Sequence, residues 1–195
     1  QFAMLAVICD QLDANKPVRI VVLKARQFGI STLIQGLFYF LMLRWARARG
    51  CTIAHVEESA IAIHQMWRTF YFESVEKPQM AKMSERLVRL ARPHSSEMHV
   101  DTAEKKQVKR GFTLSLVHNS ELAFWPYASV TRLGLLQTVA LLPKTIVIEE
   151  STANGRGGTF YDLYWAAKKR ESNYTALFYP WHWHPEYRVK LTELE

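Results

Sequence analysis

Val18-Arg-Ile-Val-Val-Leu-Lys-Ala-Arg-Gln-Phe-Gly-Ile-Ser-Thr32 changes character twice within fifteen residues. Ile20 to Leu23 form an unbroken aliphatic run, short enough for a strand buried on both faces. Lys24 to Gly29 interrupts it, and apolar residues then return at helical spacing through Leu33, Ile34, Leu37, Phe38 and Leu41. A strand, a glycine-containing loop and a helix opening on Ser31-Thr32 form a layout in which backbone N–H groups and the helix dipole receive an anion. The stretch predicts a phosphate-binding loop made by Lys24, Ala25, Arg26, Gln27, Phe28, Gly29, Ile30, Ser31 and Thr32, with the Ser31 hydroxyl placed to ligate magnesium.

The match to G-x-x-x-x-G-K-[ST] is partial. Gly29 and Ser31 take the places of the second glycine and the hydroxyl, whereas Ile30 stands where the lysine belongs and Lys24 where the first glycine belongs. A triphosphate still needs a cation near its β- and γ-phosphates, and either Lys24 or Arg26 can supply it from the other side of the loop. The plainer alternative is an ordinary strand-to-helix turn flanked by two solvated cations.

Two later stretches bear on that choice. Phe112 to Val117 has the composition of a strand, and the segment after it delivers Ser120-Glu121. Phosphoryl transfer asks a protein mainly to position the attacking water and to neutralise charge, so an acid at a strand's end suits it. Taken alone, Ser-Glu in that place is more often a helix N-cap pair. Thr145 to Glu149 reads as a further strand running into Glu150-Ser-Thr-Ala-Asn-Gly-Arg-Gly-Gly158, where Ser151, Thr152 and Asn154 sit at its tip. The spacing Gly155-x-Gly157-Gly158 is wrong for a dinucleotide loop and comes too late in the chain.

Lys24 to Thr32 resembles the deviant Walker A loop of large terminase subunits, the DNA-packaging ATPases of tailed bacteriophages. Arg110-Gly-x-Thr followed by His118-x-Ser-Glu-x-Ala-Phe-Trp125 resembles their Walker B region, and Ser-Thr-Ala-Asn-Gly followed by Gly-Thr-Phe-Tyr their coupling motif. The resemblance implies an α/β P-loop NTPase fold of the RecA-like (ASCE) type, a mostly parallel central sheet flanked by helices. It implies ATP and Mg2+ as cofactors, with Lys24 and Arg26 on the phosphates and Glu121 as the hydrolytic glutamate. Ser120, standing where the first Walker B acid belongs, is expected to reach metal only through water. Ser151, Thr152 and Asn154 are expected to couple hydrolysis to movement. It further implies double-stranded DNA, a small terminase subunit and a portal protein as partners, a homo-oligomeric ring, no membrane, and the host cytoplasm as location. A single ATPase domain is expected over 1–195, with a nuclease domain beyond it; no cluster of metal-spaced carboxylates suggests a nuclease site within the chain. Another nucleic-acid translocase, or a catalytically silent DNA-binding module with a degenerate loop, remains an alternative.

Composition agrees without deciding. A formal charge of +7 and a pI near 9.5 favour encounter with polyanions. The basic run around Lys105, Lys106, Lys109 and Arg110 is the candidate DNA contact, although such runs are usually solvated surface. Cys9 and Cys51 lack metal or redox spacing and are expected to be packed thiols. Phe2, Leu5, Ala6, Ile8, Cys9 and Leu12 predict an amphipathic first helix, in which Gln11 is either solvated or able to read an adenine edge. The helix after the loop is expected to close on Arg44, Arg47 and Arg49 before Gly50, and Ser59 to cap the next one. Residues 77–110 are expected to be mostly loop, with one short edge strand over Met98–Asp101.

Overall fold

The computed structural model describes residues 1–104 and 113–187. Helix α1 (Phe2–Asp13) leads to β1 (Val18–Lys24), α2 (Ile30–Arg44), β2 (Arg49–Ala54) and α3 (Glu57–Glu73). The short strands β3 (Met80–Met83), β4 (Leu87–Leu90) and β5 (Glu97–Thr102) follow, and then β6 (Leu116–Ser120), α4 (Ala128–Leu136), β7 (Ile146–Ser151), α5 (Gly158–Lys168) and β8 (Thr175–Tyr179).

All eight strands join one sheet in the order β3-β4-β5-β2-β6-β7-β1-β8. Pairing is parallel from β5 through to β8, and β3 and β4 extend it antiparallel at one edge. Because successive strand residues point to opposite faces, each strand of the centre feeds two cores. On one side Ile20, Ile34, Phe38, Trp67, Leu116 and Ile148 pack with α1, α2 and α3. On the other, Val21, Ile53, Val117 and Val147 pack with Leu135 of α4 and with Phe160 and Tyr164 of α5. Burial of each Ile or Phe side chain contributes about 1.5–3 kcal/mol, so the sheet centre is held from both faces.

Several local expectations are corrected. Helix α2 stops at Arg44, and Arg49-Gly50 opens β2 instead of ending a helix. A Cβ at Gly50 would stand 2.6 Å from the Met98 methyl, so the end of that side chain would have to shift to admit one. Val56, not Ser59, precedes the first turn of α3. Met98–Asp101 lies in an interior strand, because β3 and β4 cover its outer edge. In α1, Met4 and Ile8 face the sheet, whereas Cys9 is exposed; only Cys51 is a packed thiol. Gln11 donates to Thr175 Oγ1 at 2.9 Å and accepts from the Arg19 N–H at 3.0 Å, which ties α1 to β1 and β8, so it is not a freely solvated helix residue.

Candidate active site

The alternation along three strands assembles the site. Ile20 and Val22 of β1, Leu116 and His118 of β6, and Ile146 and Ile148 of β7 lie on the α2 face, and so, one step further on, do Lys24, Ser120 and Glu150. Pairing aligns Val22 with Glu150 and Ser120 with Glu150 in one row across β1, β7 and β6. The parallel strands therefore end together beneath the N-terminus of α2, with β7 lying between the loop strand and the strand that leads to Glu121.

Lys24 Nζ forms ion pairs at 3.1 Å with Glu121 Oε1 and at 3.0 Å with Glu150 Oε2. Glu150 is fully buried, and its Oε1 accepts from Ser31 Oγ at 2.9 Å and from Ser120 Oγ at 2.8 Å. His118 adds a third donor, its Nε2 lying 3.3 Å from the same oxygen. Gln35, one turn along α2 from Ser31, donates to His118 Nδ1 at 2.9 Å and to Thr52 Oγ1 at 3.1 Å. The Nε2–H tautomer of His118 satisfies both contacts. Burial by itself pushes the Glu150 carboxyl up, but the His118 hydrogen bond, the Lys24 charge and the Ser120 hydroxyl hold it at about 2. Burial likewise favours a neutral Lys24 amine, yet Glu150 and Glu121 raise its pKa above the ordinary lysine value. Both partners are charged at neutral pH.

Glu121 follows β6 in the left-handed region, at φ 52° and ψ 46°. That conformation costs on the order of 1–3 kcal/mol for a residue with a Cβ, and the contacts around the side chain hold it. Glu121 Oε2 accepts from the Thr152 N–H at 2.9 Å, Thr152 Oγ1 at 3.0 Å and Ser151 Oγ at 3.2 Å. Asn154 donates instead to the Ala123 carbonyl at 2.9 Å, and the Trp125 indole to the Ser120 carbonyl at 3.0 Å. The Ser151–Asn154 segment is thus fastened to the turn that carries Glu121.

Gln27 and Gly29 take positive φ, 62° and 66°, and turn the chain back into α2. The first backbone bond of α2 runs from Leu33 N–H to Gly29 O at 3.0 Å, so the N–H groups just before it have no acceptor within the helix and face outward from its positive end. The Ala25 N–H is committed to the Tyr179 carbonyl at 2.9 Å, the Ile30 side chain is core, and Phe28 packs on Tyr179 and His184. The Thr32 hydroxyl turns toward Met66 Sδ at 3.5 Å. Arg26 is exposed on the rim of a cleft of about 500 Å³ lined also by Lys24, Gln27, Ser120, Glu121 and Thr152. Lys105, Lys106, Lys109 and Arg110, the candidate DNA contacts, lie outside the described residues.

Among the described residues no three His, Cys, Asp or Glu side chains could hold a metal by themselves. The donor set suits magnesium shared with a nucleotide: a hydroxyl at the helix N-terminus and the Glu150 carboxylate, fixed through Oε1 and with Oε2 engaged by Lys24 alone. The Ser120 hydroxyl donates its proton to Glu150, which leaves its lone pairs to accept from a metal-bound water.

Sequence reading misses Glu150, since it ends the strand at Glu149. The available signal is the period-two continuation Ile146, Ile148, Glu150, the same phase that carries Ile20, Val22, Lys24.

Strand order, loop and site together define an α/β P-loop NTPase fold with a mostly parallel sheet. Solved structures narrow it to the fold of phage large-terminase ATPase domains. The large terminase of a thermophilic bacteriophage, solved in complex with ATP-γ-S, superposes with a TM-score of 0.71 at 10% identity, over 97% of this chain and 47% of that one. The HK97 bacteriophage large terminase gives 0.64 at 14% identity, over 90% and 38%. The ATPase domain of the Thermus phage P74-26 large terminase, in a mutant form, gives 0.59 at 17% identity, over 91% and 85%. The chain thus spans about half the length of the terminase solved with ATP-γ-S. No protein-family model matches the chain, and no curated protein matches it in sequence, so the likeness is one of fold.

Proposed function

We propose that the chain binds ATP with magnesium between α2 and the ends of β1, β6 and β7, hydrolyses it, and is the ATPase part of a DNA-packaging large terminase. The observation that carries the reading is Lys24, held between Glu121 and Glu150 beside the Ser31 end of α2. A cation, two acids and a helix N-terminus converge where a triphosphate needs positive charge and a water needs a base. The shared fold with a terminase solved in complex with ATP-γ-S supports it.

In this reading Lys24 turns from Glu121 to the β- and γ-phosphates, with Arg26 reaching from the rim. Magnesium, when bound with the nucleotide, neutralises charge on the phosphate oxygens. Glu121, oriented through Oε2 by Ser151 and Thr152, keeps Oε1 for the attacking water once Lys24 has left it. Ser151, Thr152 and Asn154 then couple the state of Glu121 to α5, which follows their loop. Double-stranded DNA, a small terminase subunit, a portal protein and a ring of copies of this chain belong to the same proposal, as does a single ATPase domain over 1–195. No helix among the described residues is long and apolar enough to cross a membrane.

The second reading, a module that no longer hydrolyses ATP, draws on Ile30 and Ser120, which stand where a cation and an acid are expected. Calorimetric titration with ATP-γ-S separates the readings from a bare structural turn, and single-turnover hydrolysis separates them from each other. Magnesium-dependent binding with hydrolysis is expected. Binding without hydrolysis selects the silent module, and absence of binding rejects the site.

A further inference from the structure

We infer that Glu150 supplies, from the neighbouring strand, the carboxylate that Ser120 lacks: it positions the Ser31 hydroxyl and presents Oε2 to the cation that accompanies a bound nucleotide. The inference rests on the nucleotide-binding reading above and assigns a role within that site.

The sheet register makes the transposition possible. Ser120 and Glu150 are paired neighbours on β6 and β7, and their side chains rise on the same face. An acid at position 150 therefore starts one strand nearer to β1 than an acid at position 120. Glutamate is a methylene longer than aspartate, and the serine leaves room for it: the two side chains meet at 2.8 Å, Ser120 donating to Glu150. The small residue on β6 and the long acid on β7 form one complementary pair.

The contacts distinguish a positioning acid from a simple counterion to Lys24. A counterion needs only proximity, and Glu121 already provides that at 3.1 Å. Glu150 is instead fixed at Oε1 by Ser31, Ser120 and His118, from α2 and β6, while Oε2 is engaged by the Lys24 ammonium at 3.0 Å. The orientation of Ser31 is set by the same contact, since its hydroxyl donates to Oε1 and turns its lone pairs elsewhere. Gln35 holds the far side of His118, which braces the carboxylate from within α2.

The test is a double-mutant cycle with Glu150→Ser and Ser120→Asp, read by calorimetric ATP-γ-S affinity in magnesium against the same affinity in EDTA, and by thermal unfolding. Glu150→Ser alone is expected to reduce the magnesium-dependent part of binding about 10–100-fold, the range for groups that orient metal ligands. Ser120→Asp alone places two carboxylates side by side and is expected to lower the unfolding temperature. The double variant, with its single acid moved to β6, is expected to recover magnesium dependence and to fold better than the worse single. A double variant no better than that single, by either readout, overturns the transposition. Glu150→Gln, which keeps shape and loses charge, gives a second reading: unchanged magnesium dependence also overturns it. Wild-type protein that binds no ATP-γ-S rejects the nucleotide site itself, whereas normal binding with an indifferent Glu150 rejects only the role assigned here.

Discussion

The Lys24 ammonium and the Glu121 carboxylate, which lie 97 residues apart in the chain, meet at 3.1 Å across the mouth of the cleft. The cation assigned to the phosphates and the acid assigned to the water occupy each other. In the proposed function, phosphate entry separates them, so that nucleotide binding and the release of Glu121 become one event. Lys24 has a second partner in Glu150, which keeps the exchange from stranding a buried charge.

Lys24→Ala is expected to weaken ATP binding roughly 10–100-fold, the loss of one charge-assisted contact, and Arg26→Ala to weaken it less. Lys24→Ala also leaves Glu150 buried without its ion pair, which costs on the order of 3–5 kcal/mol and should appear as a lower unfolding temperature. A Lys24→Ala protein with parental affinity would remove the lysine from the phosphate site.

Thr152→Val removes the Oγ1 donor on Glu121 Oε2 but leaves the backbone donor and Ser151. Nucleotide affinity should hold while the single-turnover rate falls by about tenfold, because a looser acid positions water less often. An unchanged rate would confine Thr152 to a structural role.

Glu150 gives a pH signature. Its folded pKa of about 2 lies below the ordinary 4.5, so its ion pair stabilises the fold fully above pH 4.5, and the contribution is lost as pH falls from there toward 2. Denaturant unfolding of wild type and Glu150→Gln should therefore differ by a few kcal/mol at about pH 6–7 and converge through that window. A gap independent of pH would show that the carboxylate is not held ionised.

Neutralising Lys105, Lys106, Lys109 and Arg110 is expected to lower the salt slope of DNA binding by about one unit per lost phosphate contact. A filter-binding titration across salt concentrations reads it directly. Unchanged affinity and slope would assign that basic run to solvent or to another subunit.

The loop is legible in the sequence because each of its requirements has a residue type attached: an aliphatic run for a buried strand, Gly29 for positive φ, a hydroxyl at the start of α2. Glu121 is legible for the same reason, as an acid after a strand. Glu150 is not, since its meaning depends on β7 lying between β1 and β6, and sequence does not print strand order. Its phase with Ile146 and Ile148 is visible, but Glu150-Ser-Thr-Ala-Asn-Gly has the polar composition of a loop. Strands β3 and β4 escape because they are four residues long, half exposed and set among prolines, and long-range pairing to β5 makes them strands. The Glu121–Thr152 bonds follow from that strand order too: β7 ends beside β6, so its tip falls on the turn carrying the acid.

Glu121→Gln, assayed for ATP affinity and single-turnover hydrolysis on one preparation, separates binding from chemistry most directly. The substitution keeps the shape of the side chain and removes its capacity to accept a proton. Affinity near the parental value, with hydrolysis slowed by roughly 10²–10⁴-fold, is the predicted result. Hydrolysis at the parental rate would contradict it and leave Glu121 as a counterion to Lys24.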